Sequence, residues 1–172
     1  MTVNASDLRI LKYPAAALRV KAKPVPAVND EVRAVAARMI ELMKMEKGVG
    51  LAAPQVGLPW RMFVTEAPED GEPRVYVNPD LKLLPGERGR HEEGCLSIPG
   101  VHIEIDRAQQ AVIAALDLEG RPTQREARDF TARIWQHEVD HLNAVLIIDK
   151  MTAIDKIANR RILKGLEADA ES

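Results

Sequence analysis

Residues 129–145 read DFTARIWQHEVDHLNAV. On a helix, Phe130, Ile134, His137, His141 and Val145 fall on one stripe, and Ala132, Trp135, Val139 and Leu142 on a second. Only Arg133, Gln136, Asp140 and Asn143 form a polar line. A helix apolar over so much of its circumference has to be covered on several sides. The spacing therefore predicts a central helix from about Asp129 to Asn143, around which the other elements are layered. A chain of 172 residues suits one domain with one core, spanning 1–172.

The flanking patterns supply the cover. Asn29 or Asp30 can cap an N-terminal helix with Val32, Val35, Ala36, Met39 and Met43 on one face, closed by Gly48 in left-handed geometry. Buried strands are predicted at Met62–Thr65 and Arg74–Val77. In VHIEID, Val101, Ile103 and Ile105 alternate with polar residues, which puts His102 on the wet face of a half-buried strand. AVIAALDL, Glu119-Gly120 and RPTQREAR read as a hairpin. The segment 7–28 reads as irregular chain, and 85–94, with Pro85, Gly86, Gly89 and Gly94, as a turn-rich loop. Thr152 can cap a C-terminal helix whose Met151, Ile154, Ala158, Ile162 and Leu166 face inward. Mostly antiparallel strands around a central helix, with one helix near each terminus, define an α+β class.

The formal charge of -2 excludes a strong overall field for nucleic acid, and no DNA partner is expected. No apolar run approaches the roughly 20 residues of a membrane span. The N-terminus lacks the layout of a signal peptide, and a lone cysteine cannot form an internal disulfide, so a cytoplasmic setting is expected.

The central helix also carries chemistry. His137 and His141 lie four apart on one face and can converge on one metal ion. Glu138, rotated by about 100°, can act as general base on a water at that ion without being a ligand. A catalytic site needs a third protein donor. HLNAVLIIDK offers no downstream histidine, so the donor is sought among His91, Glu92, Glu93 and Cys95, of which a thiolate is the best soft ligand. Asp140 suits either an outer partner of this site or a solvent-facing helix charge. The small-residue stretch GVGLAAPQVG, residues 48–57, lets backbone approach a substrate, and Gln55 can offer an amide donor to a developing oxyanion. Two alternatives stay open on these residues: an HExxH metalloprotease and a non-enzymatic domain with a structural metal.

GVGLAAPQ, EGCLS and QHEVDHL, in this order and spacing, resemble the signature motifs of the peptide deformylase family, in the subgroup with a helical C-terminus. The resemblance implies removal of formyl from the N-terminal formyl-methionine of nascent chains. It implies Cys95, His137 and His141 as ligands of one divalent metal, natively Fe(2+), with Zn(2+), Ni(2+) or Co(2+) as substitutes. Glu138 would be the base and acid, and Gln55 with the Leu96 N–H would form the oxyanion hole. Val49, Gly50, Glu93, Gly94 and His102 would meet the peptide. Two positions depart from the family pattern. Ala144 stands where the family often has glycine, and His102 about where it often has a peptide-binding arginine. A protein drifted toward another N-acyl substrate therefore also stays open. Lys156, Arg160, Arg161 and Lys164 on the last helix form either a solvated face or a docking face for the ribosome.

Overall fold

A computed structural model describes residues 3–170. Among these residues the chain forms helices α1 (Asp30–Met45), α2 (Asp129–Leu142) and α3 (Ala153–Ala170) and seven strands. The strands are β1 (Gly50–Ala52), β2 (Met62–Thr65), β3 (Arg74–Leu83), β4 (Arg88–Glu93), β5 (Ile103–Ala108), β6 (Gln110–Leu116) and β7 (Pro122–Arg128). All pair antiparallel, in a five-stranded sheet of order β1-β2-β3-β6-β7 and a separate β4-β5 pair. The fold is α+β, as the sequence predicts.

The central helix is central in fact. α2 touches β1, β2, β3, β6 and β7 of the large sheet and β5 of the small one. Trp135 is fully buried against Tyr76, edge to face at 5.7 Å between ring centroids, and Tyr76 stacks on Phe63 at 4.8 Å. With aromatics at only 3% of the chain, this trio is an exception in an otherwise aliphatic core. α1 packs on the sheet through Val32, Val35, Ala36, Met39 and Met43, and the Asn29 side chain caps it by accepting from the Val32 N–H at 3.0 Å.

Four local expectations need correction. The segment 85–94 is not all loop: β4 pairs with β5 from Arg88↔Ala108 to Glu93↔Ile103. Its two buried positions are Gly89 and Glu93, four apart with His91 exposed between them, so neither alternating burial nor an apolar side chain reveals the strand. β3 runs beyond Val77 to Leu83, because a bulge at Asn78, which has φ 52°, lets the strand resume at Asp80. At the end of α1 the left-handed residue is Lys47 rather than Gly48. Gly48 is needed for space, since a Cβ there would stand 2.6 Å from Leu96 Cδ1. Finally, the inward seam of α3 runs through Asn159, Leu163 and Leu166 after Met151, about one residue or 100° from the expected face. Ile154 and Ile157 are each 78% exposed, and Ala158 faces solvent with them. The predicted cap is present: Thr152 Oγ1 accepts from the Asp155 N–H, and Asp155 Oδ2 accepts from the Thr152 N–H.

Ala144 adopts φ 61° just after α2, so the position does require the left-handed region. Alanine pays about 1–2 kcal/mol there, part of which glycine recovers. Ala144→Gly should raise stability by about 1 kcal/mol, read as a thermal midpoint higher by roughly 2–4 °C at unchanged activity.

Candidate active site

The sequence brings the three expected donors from two elements. His137 and His141 sit one turn apart on α2, with Nε2 atoms 3.2 Å from each other. Cys95 lies just past the end of β4, and its Sγ is 3.3 Å from His141 Nε2. All three donor atoms lie within 4.8 Å of one another. Donors sharing a tetrahedral ion at about 2.0–2.3 Å stand about 3.3–3.6 Å apart, so this set fits a divalent metal. A thiol and two imidazoles suit iron, zinc, nickel or cobalt and disfavour calcium or magnesium. Burial lowers the His141 pKa well below its ordinary value, and the charges of His137 and Arg107 push the same way, which leaves a neutral imidazole with a free lone pair. Burial also works to lower His137, but its hydrogen bonds with Cys95 and Glu93 outweigh that and raise it well above the ordinary value. A cation and a proton thus compete for that ligand set.

Glu138 is buried beside the donors. Burial lifts its carboxyl to about 7, against the pull of His137. Its Oε2 has no hydrogen-bond partner among the described residues. The space for its other oxygen exists because residue 50 is glycine: a Cβ there would overlap Glu138 Oε1. Gln55, only 1% exposed, donates its Nε2 to Ser97 Oγ at 3.1 Å and points it at Cys95 Sγ at 3.6 Å. Its Oε1 accepts from the Ala52 N–H at 2.8 Å, which fixes which end of the amide faces the sulfur. The Leu96 N–H has no hydrogen-bond partner among the described residues.

These groups line a cleft of about 440 Å³. Val49, Gly50, Gly94 and Leu96 border it, as do Gln55, Cys95, His137 and Glu138. Phe130 and Ile134 give it an apolar wall. His102 stands at the rim, largely exposed, with Nδ1 3.7 Å from Glu92 Oε1.

Glu93 also borders the cleft, but its carboxylate is fully engaged elsewhere. Arg107 grips it in bidentate fashion at 2.9 and 2.8 Å, Arg133 Nη1 approaches at 2.6 Å, and His137 Nδ1 lies 3.1 Å from Oε2. Burial alone would raise this carboxyl. The bonds from Arg107 and His137 win and hold it well below the usual carboxylate range. Glu93 thereby turns His137 so that Nε2 faces the other donors. Asp140 joins the same network, half-buried: its Oδ2 accepts from Arg107 at 2.6 Å and forms an ion pair with Lys150 Nζ at 3.2 Å.

Sequence reasoning missed Arg107 and Arg133. Arg107 does continue the inward phase of Ile103 and Ile105 along β5, and Arg133 sits one turn before His137. Arg107 and Arg133 are buried, as is Gln136, so the first half of the polar line of α2 meets the small sheet, while Asp140 is half-buried and Asn143 faces solvent. Arg133 also donates to Ile105 O and Gly89 O, while Gln136 exchanges bonds with the Ala108 N–H and C=O.

An α+β fold carrying a thiol-imidazole donor triad with a buried carboxyl beside it defines a metal-dependent hydrolase. A profile described as polypeptide deformylase matches residues 7–157. The peptide deformylase of Borreliella burgdorferi is 45% identical over 142 residues, covering 83% of this chain and 86% of that protein. The Pseudomonas aeruginosa peptide deformylase is 42% identical over 161 residues, covering 93% and 94%. A plant peptide deformylase crystal structure superposes with a TM-score of 0.90 at 36% identity, over 96% of this chain and 92% of that one. The chain belongs to the polypeptide deformylase family, enzymes that remove the formyl group from the N-termini of nascent polypeptides.

Removing the Glu93 carboxylate would leave the buried Arg133 guanidinium without a carboxylate partner, Arg107 with Asp140 alone, and His137 unsteered. Glu93→Ala should cost about 3–5 kcal/mol in chemical denaturation. Metal affinity, measured by competition with a chelator, should fall about 10–100-fold.

Proposed function

We propose that this chain hydrolyses the formyl C–N bond of N-formylmethionyl nascent peptides, giving formate and a free amine. Cys95, His137 and His141 hold one divalent ion in this reading, Fe(2+) in the cell, with Zn(2+), Ni(2+) or Co(2+) able to replace it. The observation that carries it is the partnerless Glu138 oxygen beside three mutually close donors in one cleft. When bound, the ion supplies water acidic enough to yield a nucleophile near neutral pH.

The residues do the rest. Glu138, with a carboxyl near 7, takes a proton from water and returns it to the departing nitrogen. Gln55 Nε2 and the Leu96 N–H donate to the oxyanion that forms as water adds to the formyl carbon, contacts worth about 2.7–4 kcal/mol each in comparable sites. Val49, Gly50 and Gly94 present backbone to the peptide, and His102 stands where its later residues leave the cleft. The Glu93 side chain is committed to His137, so its share in binding is that of its backbone. Phe130 and Ile134 suit a methionine side chain. Among the described residues no fourth His, Cys, Asp or Glu joins the triad, which speaks against a closed structural site. The third donor lies upstream at Cys95 and not after the helix, which speaks against an HExxH protease with a downstream ligand.

Anaerobic assay of the iron-loaded protein on a formyl-methionyl peptide should release formate. Glu138→Ala should lower kcat by about 10²–10⁴-fold with metal content unchanged. No formate from the iron-loaded wild type would refute the reading.

The place of action is proposed as the cytoplasm, at the ribosome. Lys156, Arg160, Arg161 and Lys164 are all exposed on α3 and suit a phosphate backbone. Reversing Arg160 and Arg161 to glutamate should weaken salt-sensitive co-sedimentation with ribosomes; unchanged pelleting would remove this part.

A further inference from the structure

The two proposed oxyanion donors come from segments that no strand or helix joins. Gln55 lies in a 3-10 turn, Ala53–Val56, after β1, and Leu96 lies in irregular chain after β4. A third segment reaches both. The Leu11 N–H donates to Gln55 O at 2.8 Å, Lys12 Nζ donates to Leu96 O at 2.7 Å, and the Tyr13 N–H donates to Ser97 O at 2.8 Å. Ser97 in turn accepts from Gln55 Nε2. Three consecutive residues thus tie both donor segments together, within a stretch whose sequence reads only as irregular chain.

We propose that Leu11–Tyr13 is a brace that sets the two oxyanion donors relative to each other, with Lys12 as its positioning residue. This rests on the roles given above to Gln55 and Leu96. The C=O and N–H of Leu96 are separated by only its own two soft torsions. Holding the carbonyl therefore restricts where the unpartnered N–H points. Lys12 forms no ion pair among the described residues, and its ammonium donates to this carbonyl. The brace has its own anchorage. Leu11 and Tyr13 pack against the cluster of Leu18, Ile98, Val101 and Leu146, and the Tyr13 O–H donates to Glu167 Oε1 on α3 at 2.8 Å. Displacement of a preorganised donor by a fraction of an ångström weakens it in the transition state more than in the ground state. A brace should therefore act on kcat. A lysine that touched the peptide itself would act on KM.

The test is steady-state formate release by the metal-loaded wild type, Lys12→Met and Lys12→Arg, with metal content and thermal midpoint measured on each. Lys12→Met should lose about tenfold in kcat with KM within about twofold, and Lys12→Arg should recover most of the rate. Metal content and thermal midpoint should stay at wild-type values, since Lys12 is exposed. A wild-type kcat in Lys12→Met overturns the brace. So does a raised KM at constant kcat, or a loss of rate that follows lost metal or lost stability. If the wild type itself releases no formate, the reading of the site and the brace fall together; an unaltered Lys12→Met rate removes the brace alone.

Discussion

The carboxylate of Glu93 is the interaction on which most of this structure turns. It sits at the end of β4, buried, with two guanidinium groups and one imidazole on its oxygens. Arg133 and His137 belong to α2, and Arg107 to β5. One side chain thus joins the small sheet to the central helix and at once orients His137, one of the three clustered donors. An ion cluster of this kind is weak evidence for net stability, because each charge is costly to desolvate. Its contribution is geometric. The arginines have five donors each in a fixed fork, so the partners of Arg133 and Arg107 define the angle at which β4-β5 meets α2. Cys95 follows Glu93 by two residues, and the position of the sulfur is set by that junction.

Much of this was readable in the residues. The apolar circumference of 129–145 announced a covered helix, and the large sheet's Met62–Thr65 strand and β6-β7 hairpin followed from ordinary patterning. His137, His141 and Glu138 were legible from helical spacing alone, and Cys95 was the best candidate third donor before any family was considered. What stayed hidden shares a physical cause. β4 buries a glycine and a glutamate where pattern reading looks for apolar residues, so it passed for loop. With that strand missing from the pattern, nothing in the sequence shows what Arg133 and Gln136 face. The phase of α3 failed for another reason. Its isoleucines offered an apolar stripe, but the helix docks along a thin seam containing Asn159, whose Nδ2 donates to Asp155 O. Apolarity marks what a face could bury and does not say what lies opposite it.

The glycines near the site serve space more than torsion. Gly48 admits the Leu96 side chain, and Gly50 admits the Glu138 carboxyl; neither has a positive φ. Close backbone approach on one side of the cleft and a sealed carboxyl on the other are therefore one arrangement. The same seal that removes water from Glu138 raises its carboxyl into the range where it can both accept and release a proton.

The β4-β5 pair depends on the central helix for its persistence. A lone two-stranded ribbon is marginal in water. Here the fixed side chains of Arg133 and Gln136 bond to backbone groups of both its strands, so α2 acts on the ribbon much as a third strand would. The ribbon has no reason to persist before that helix has docked. Cys95, carried at the ribbon's end, is held beside the two histidines only while the ribbon stays docked on α2. Loss of that docking would part the sulfur from the imidazoles, so the donor set is only as stable as the contact between ribbon and helix.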